Sequence, residues 1–181
     1  MELPQAVALI KKGVSRDQSV WADMGAGSGL FTLALSEILG SSGVIFAVDR
    51  QLGILRQHLK THYQLTRVHL YETDFAEDLE LPALDGILMA NALHYTPDPE
   101  RLLNKMLHYL KEGGSFLLIE YETDRSNKWV PHPVSFERFK LICQNLPLSD
   151  PEWLDEVPSF YGTHRNIYSA LSTKISTNTL R

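Results

Sequence analysis

Hydrophobic residues along the chain fall into short apolar runs that alternate with helix-period stripes. Pro4 to Lys12 carries Val7, Leu9 and Ile10 at helical spacing and stops at Gly13. Val20-Trp21-Ala22 reads as a short buried strand closed by Asp23. Leu30 to Leu39 is an apolar helix ended by Gly40, and Val44 to Val48 is an unbroken β-rich run suited to a strand covered on both faces. Leu52, Leu55 and Leu59 mark a helix with a polar outer side, and Arg67 to Tyr71 alternates as a third strand. Glu77 to Leu84 is short, polar and interrupted by Pro82, which predicts a reduced helix or an irregular connection. Asp85-Gly86 introduces a fourth strand, Ile87 to Ala90.

Asp98-Pro99 is a helix start, because Asp caps and Pro suits the first helical position. The stripe Leu103, Met106, Leu107 and Leu110 extends that helix to Gly113-Gly114, after which Ser115 to Ile119 forms a fifth strand. Ser135 caps a helix from Phe136 to about Asn145, with Phe139, Ile142 and Cys143 inward. Pro147 to Pro158 reads as a linker rich in Pro and Asp. Ser159-Phe160-Tyr161-Gly162 and Asn166 to Leu171 suit a closing hairpin, and the tail from Ser172 is polar and expected to fray. Strands alternating with helices predict an α/β fold with right-handed crossovers and a parallel sheet, in which the closing hairpin makes the last strand antiparallel.

The run V-W-A-D-M-G-A-G-S-G-L-F, from Val20 to Phe31, carries the chemistry. Strand, glycine turn and helix in that order can hold a ligand at a helix N-terminus. Gly25, Gly27 and Gly29 let the backbone take positive φ and let another molecule approach it closely. A dinucleotide fingerprint would need its third Gly at position 30, which is Leu30. The carboxylate of Asp23 would repel a diphosphate and attract an ammonium group. The bare alternative is a tight turn with no ligand.

This D-x-G-x-G-x-G run resembles motif I of the class I S-adenosylmethionine-dependent methyltransferases. The segment D-G-I-L-M-A-N-A-L-H-Y, from Asp85 to Tyr95, resembles motif IV of the small-molecule enzymes, and L-K-E-G-G before an apolar strand is a further shared segment. The resemblance spans residues of roughly 20 to 170 and implies a three-layer, Rossmann-like sandwich with a seven-stranded, mostly parallel sheet. It divides the chain into an N-terminal helix and lead-in over 1–19, a cofactor-binding domain over 20–171 and a tail over 172–181. It also implies that the N-terminal helix lies over the cofactor.

The cofactor implied is S-adenosyl-L-methionine, leaving as S-adenosyl-L-homocysteine. The resemblance places Asp23, Gly25, Ala26, Gly27 and Gly29 around its methionine and ribose portion. Asp49, with Arg50 beside it, stands where an acid ending the second strand accepts from ribose hydroxyls; the alternative is a solvated strand end. Asp74 and Phe75 stand where the family meets adenine, although Asp74 can equally be a loop or capping residue. The resemblance also places Asn91, at the end of the fourth strand, beside the methionine end. His94 is a candidate base if the methyl acceptor must lose a proton, and Tyr95 a candidate for orienting it. His94 can also be a pocket wall without a proton role.

Glu122 to Val134 is a polar, proline-containing segment leaving the fifth strand at the edge where ligands bind. Asn127, Trp129 and His132 are its candidates for lining a substrate site; the alternative is a packed loop with Trp129 buried as an anchor.

Composition changes this picture little. The 181 residues suit one domain, and a net charge of −5 disfavours nucleic acid as the main substrate. No apolar run is long enough for a membrane span, no leader is visible, and Cys143 is the single cysteine, which together suggest a cytoplasmic protein. There is no P-loop, HExxH or G-x-S-x-G pattern, and no cluster suggests a metal. The expected activity is therefore methyl transfer to a small-molecule acceptor. A fold retained without catalysis, or completed by a second copy or a partner protein, is the alternative, with a nicotinamide-dependent oxidoreductase behind it.

Overall fold

The computed structural model describes residues 1–15, 19–61, 66–159 and 166–176. In chain order it contains α1 (Leu3–Ile10), β1 (Val20–Met24), α2 (Leu30–Leu39), β2 (Val44–Asp49), α3 (Gly53–Thr61), β3 (Arg67–Glu72) and β4 (Leu84–Ala90). Then follow α4 (Pro99–Leu107), β5 (Leu110–Tyr121), α5 (Phe136–Gln144), β6 (Glu152–Pro158) and β7 (Asn166–Thr173). The strands form one sheet in the order β3-β2-β1-β4-β5-β7-β6. β1 to β5 pair in parallel, and β7 runs antiparallel between β5 and β6.

Three layers follow from strand periodicity. Trp21, Ile45, Leu88 and Leu117 face one side and pack against Leu9 and Ile10 of α1 and Ala34 and Leu35 of α2. Ala47 and Leu55 bring α3 to that same side. Ala22, Phe46, Ile87 and Phe116 face the other side, under Leu103 and Met106 of α4 and Phe139 and Ile142 of α5. Successive strand residues point to opposite faces, so runs with no polar member are what a doubly covered sheet requires. The order reverses between β1 and β4, which opens a crevice beyond their carboxyl ends, where α/β sheets hold ligands.

Three expectations from the sequence are corrected. The helix from Pro99 stops at Leu107, and Leu110 begins β5 instead of closing the helical stripe. Tertiary pairing overrides the period here. Leu110 pairs with Leu84, and the Lys174 ammonium donates to the Leu107 and Leu110 carbonyls at 2.6 and 2.7 Å. Gly113-Gly114 lies inside the strand, where Gly113 takes φ +74° at an irregularity in the β4–β5 register.

The expected linker over Pro147 to Pro158 contains the edge strand β6. Glu152, Asp155, Glu156 and Pro158 disguise it, and these are residue types that protect a sheet edge from further pairing. Ser159 follows that strand, and the rest of the expected strand, 160–162, lies outside the described residues. The fraying expected from Ser172 is also displaced. Ser172 and Thr173 complete β7, and Lys174 bridges to Leu148. The connection over 73–83 is irregular, one of the two forms its composition suggested.

Candidate active site

The glycine turn is built by its neighbours. Gly25 and Ala26 donate their amides to the Val48 carbonyl at 2.8 and 3.1 Å, which ties the turn to the end of β2. Gly25, Gly27 and Gly29 have φ of +85°, +53° and +89°, values that L side chains resist. Gly27 shows a further reason. A Cβ there would meet nothing nearer than the Gly25 carbonyl at 4.0 Å, so the space beside it is open. That space belongs to a cavity of about 560 Å³ lined by the turn and by the ends of β1, β2 and β4.

Asp23 is 1% exposed at the cavity's inner wall. The Thr32 hydroxyl on α2 donates to its Oδ2 at 2.5 Å, while Oδ1 has no partner. Burial raises its pKa from the ordinary 3.8 to about 7; the Thr32 hydrogen bond opposes this and the Asp49 carboxylate adds to it. Across the crevice, Asn91 takes φ +50° with its amide donating to the Ile119 carbonyl at 2.8 Å. Its Oδ1 is buried and also without a partner. Two residues that line one cavity thus each hold a buried acceptor oxygen without a partner, and such oxygens suit a cationic hydrogen-bond donor.

Asp49 Oδ2 accepts from the Gly27 amide and Oδ1 from the Gln51 amide, both at 2.9 Å. Each oxygen keeps a further lone pair for a hydroxyl. Asp74 Oδ1 accepts from the Ala76 amide at 2.8 Å, and its Oδ2 lies 3.9 Å from the exposed Arg50 guanidinium. Phe75 packs close to Gly25. The residues expected around a cofactor, Asp23, Gly25, Ala26, Gly27, Asp49, Arg50, Asp74, Phe75 and Asn91, all line this one cavity. Gly29 does not; it starts α2, and a Cβ there would collide with Leu55.

The acceptor-side candidates divide. Residues 93–95 form a single 3-10 turn that points Leu93 and His94 inward and leaves Tyr95 59% exposed on the cavity wall. His94 is 1% exposed and does not line the cavity. Its Nδ1 is 2.7 Å from Glu120 Oε2, its amide donates to Glu120 Oε1 at 3.2 Å, and its Nε2 has no partner. It packs beneath Tyr95, with ring centroids 4.3 Å apart.

Asn127, Trp129 and His132 do not line the cavity either. Asn127 Oδ1 accepts from the Trp129 and Val130 amides and shapes its own turn. Trp129 is neither wall nor anchor: it is 70% exposed, with the Lys128 ammonium 4.5 Å from its ring centroid. His132 joins the loop to the 3-10 turn through its amide, which donates to the His94 carbonyl at 3.0 Å.

Residues that the motifs did not single out complete the walls: Thr96, Pro97 and Leu102 on the acceptor side, Ala90 and Ala92 around Asn91, and Ala76 beyond Phe75. A trace of them was present, since Ala90 and Ala92 flank Asn91 as small residues where a ligand needs room. The helix expected over the cofactor lies elsewhere. α1 packs against α2 on the sheet face, and the Ser169 hydroxyl donates to its Leu9 carbonyl at 2.7 Å.

Comparison with known proteins bears on the family and the fold. Residues 22–116 match the family described as methyltransferase domain. The chain belongs to that family, and its fold is that of the class I S-adenosylmethionine-dependent methyltransferases. It is similar to the arsenite methyltransferase of Aquipseudomonas alcaligenes, with 30% identity over 57% of this chain and 33% of the relative. It is equally similar, at 30% over 55% of this chain and 40% of the relative, to the ubiquinone/menaquinone biosynthesis C-methyltransferase UbiE of Vibrio campbellii. The matched regions therefore span less than half the length of these curated relatives. A S-adenosylmethionine-dependent O-methyltransferase from Thermotoga maritima shares the fold with a TM-score of 0.69 and 21% identity, over 96% of this chain and 66% of that one. Among the described residues, no helix is long and apolar enough to cross a membrane.

Proposed function

We propose that the cavity binds S-adenosyl-L-methionine and that the chain directs its methyl group to a small-molecule acceptor. One observation carries the reading: the buried, unpartnered Oδ1 atoms of Asp23 and Asn91 share a cavity with an open main-chain cradle at Gly27. Those oxygens would hold the ammonium, the turn at Gly25 to Gly27 would lie along the methionine and ribose, and Asp49 would accept from the ribose hydroxyls. Asp74 and Phe75 would flank adenine, with Arg50 at the rim. When bound, the cofactor supplies an electrophilic sulfonium methyl.

The chain's own part is positioning. Holding the acceptor in line behind Tyr95, Thr96 and Pro97 and keeping water out supplies several kcal/mol of the barrier. Tyr95 is the member of its pair that reaches the cavity, so it is the candidate for orienting the acceptor. His94, buried against Glu120, serves as the wall behind it. The balance of acidic over basic residues supports a small molecule over nucleic acid, and the lone cysteine supports a cytoplasmic setting.

Calorimetry with S-adenosylhomocysteine tests the cofactor assignment, with NADH as the control. The expected result is saturable binding of the former alone. No heat and no thermal shift at millimolar S-adenosylhomocysteine would refute it.

A further inference from the structure

Asp23 is a buried carboxyl with an unusual set of neighbours. α2 contributes Thr32 twice: its hydroxyl donates to Oδ2, and its backbone amide also favours the ionised carboxyl. The end of β2 contributes Asp49, a second carboxylate on the same cavity. The end of β4 contributes Asn91, which is uncharged and presents another unpartnered oxygen. Arg50 belongs to the rim, beside Asp74. Among the described residues, no lysine, arginine or histidine forms an ion pair with Asp23.

A carboxylate so placed has donors from a single residue, Thr32, and a like charge nearby, and burial disfavours its ionised form. A proton on Oδ1 removes that charge. A cationic group arriving in the cavity does the same, and the two compete for one oxygen.

We propose that binding of the cofactor's amino-acid end is coupled to release of one proton from Asp23. The inference rests on the cofactor reading above. In the free protein, at a pH low enough for the carboxyl to be protonated, the proton is held as the O–H of Asp23. On binding, that O–H bond breaks, the proton passes to solvent, and an N–H of the ligand ammonium takes its place as donor. Asp23 then senses the amine, whereas Asp49 and Asp74 sense the nucleoside. The site thus gains selectivity for nucleosides with a free ammonium as pH rises, because proton competition fades while attraction between the charges persists.

The experiment is titration calorimetry in buffers of differing ionisation enthalpy, with S-adenosylhomocysteine and with methylthioadenosine, which lacks the amino-acid end. S-adenosylhomocysteine should release protons near neutral pH, and its apparent Kd should tighten roughly tenfold from pH 6 to pH 8. Methylthioadenosine should release none and show a flat profile. Asp23→Asn should remove the pH slope for S-adenosylhomocysteine, or its binding altogether, while methylthioadenosine still binds. Thr32→Val keeps the carboxyl and the backbone donor but deletes the hydroxyl, the larger of the two Thr32 contributions that favour the ionised form, so it should move the midpoint of the slope to higher pH.

Equal proton counts for the two ligands would overturn the inference, as would a slope that persists in Asp23→Asn or a midpoint unmoved in Thr32→Val. Such results leave the cofactor reading intact. Failure of both nucleosides to bind the native protein would overturn that reading and this inference together.

Discussion

Asp23→Asn removes one buried charge and almost no volume, so its effect on the empty protein can be worked from the Asp23 environment. The native carboxyl titrates at about 7 in the fold against an ordinary 3.8. Each unit of such a difference corresponds to about 1.4 kcal/mol, so keeping this group ionised and buried costs the fold on the order of 4 kcal/mol above pH 8. The sign follows from the raised value. The folded state holds a proton that the unfolded chain has lost between those two pKa values, so stability rises as pH falls through 7. From pH 8 to pH 5 the single group should contribute a gain of about 2.5 kcal/mol.

Asparagine cannot ionise, so the variant should lack this gain. At pH 8 it should be more stable than the native protein, by less than the full difference because its amide places a donor or acceptor where Oδ1 has no partner. Urea denaturation of both proteins at pH 5 and pH 8, in the absence of nucleoside, measures the effect. Other titrating groups are common to both chains and cancel in the comparison. Identical pH dependence in the two proteins would refute the reasoning. A site residue whose removal stabilises the fold while harming ligand binding is a familiar trade-off.

The remaining expectations address other parts of the site. Gly27→Val should abolish S-adenosylhomocysteine binding, because φ of +53° resists a β-branched residue and the side chain would enter the open cradle; a folded variant with native affinity in calorimetry would contradict this. Asp49→Ala should weaken binding by roughly 1.5–3 kcal/mol, typical of hydrogen bonds to a charged group, and an unchanged dissociation constant would move the ribose contact elsewhere. Glu120→Ala strands the His94 Nδ1 and amide without partners. It should cost about 3 kcal/mol of stability in urea yet leave the S-adenosylhomocysteine dissociation constant within twofold when the protein is folded, since neither residue lines the cavity; a large loss of affinity would bring the pair into the site.

The chain's local signals determined most of the frame. Leu30–Leu39 was legible to the residue because an apolar stripe runs between two glycines that mark its ends. The inner parallel strands were legible because residues covered on both faces must be apolar, and the edge strand β3 because Arg67 and His69 alternate with Val68 and Leu70. The D-x-G-x-G-x-G spacing located the cavity, since only glycine tolerates three positive φ values in five residues.

What remained needed the tertiary structure. The end of α4 was decided by Leu84 and Lys174, both distant in sequence, so no local period could reveal it. The edge strand β6 was hidden because an edge carries charges that otherwise mark a loop. His94 and Tyr95 are adjacent in the chain, and only the 3-10 turn decides that one is buried against Glu120 and the other faces the cavity. Residue spacing specifies which backbone shapes are allowed; which side chain meets a ligand depends on contacts between segments that spacing does not encode.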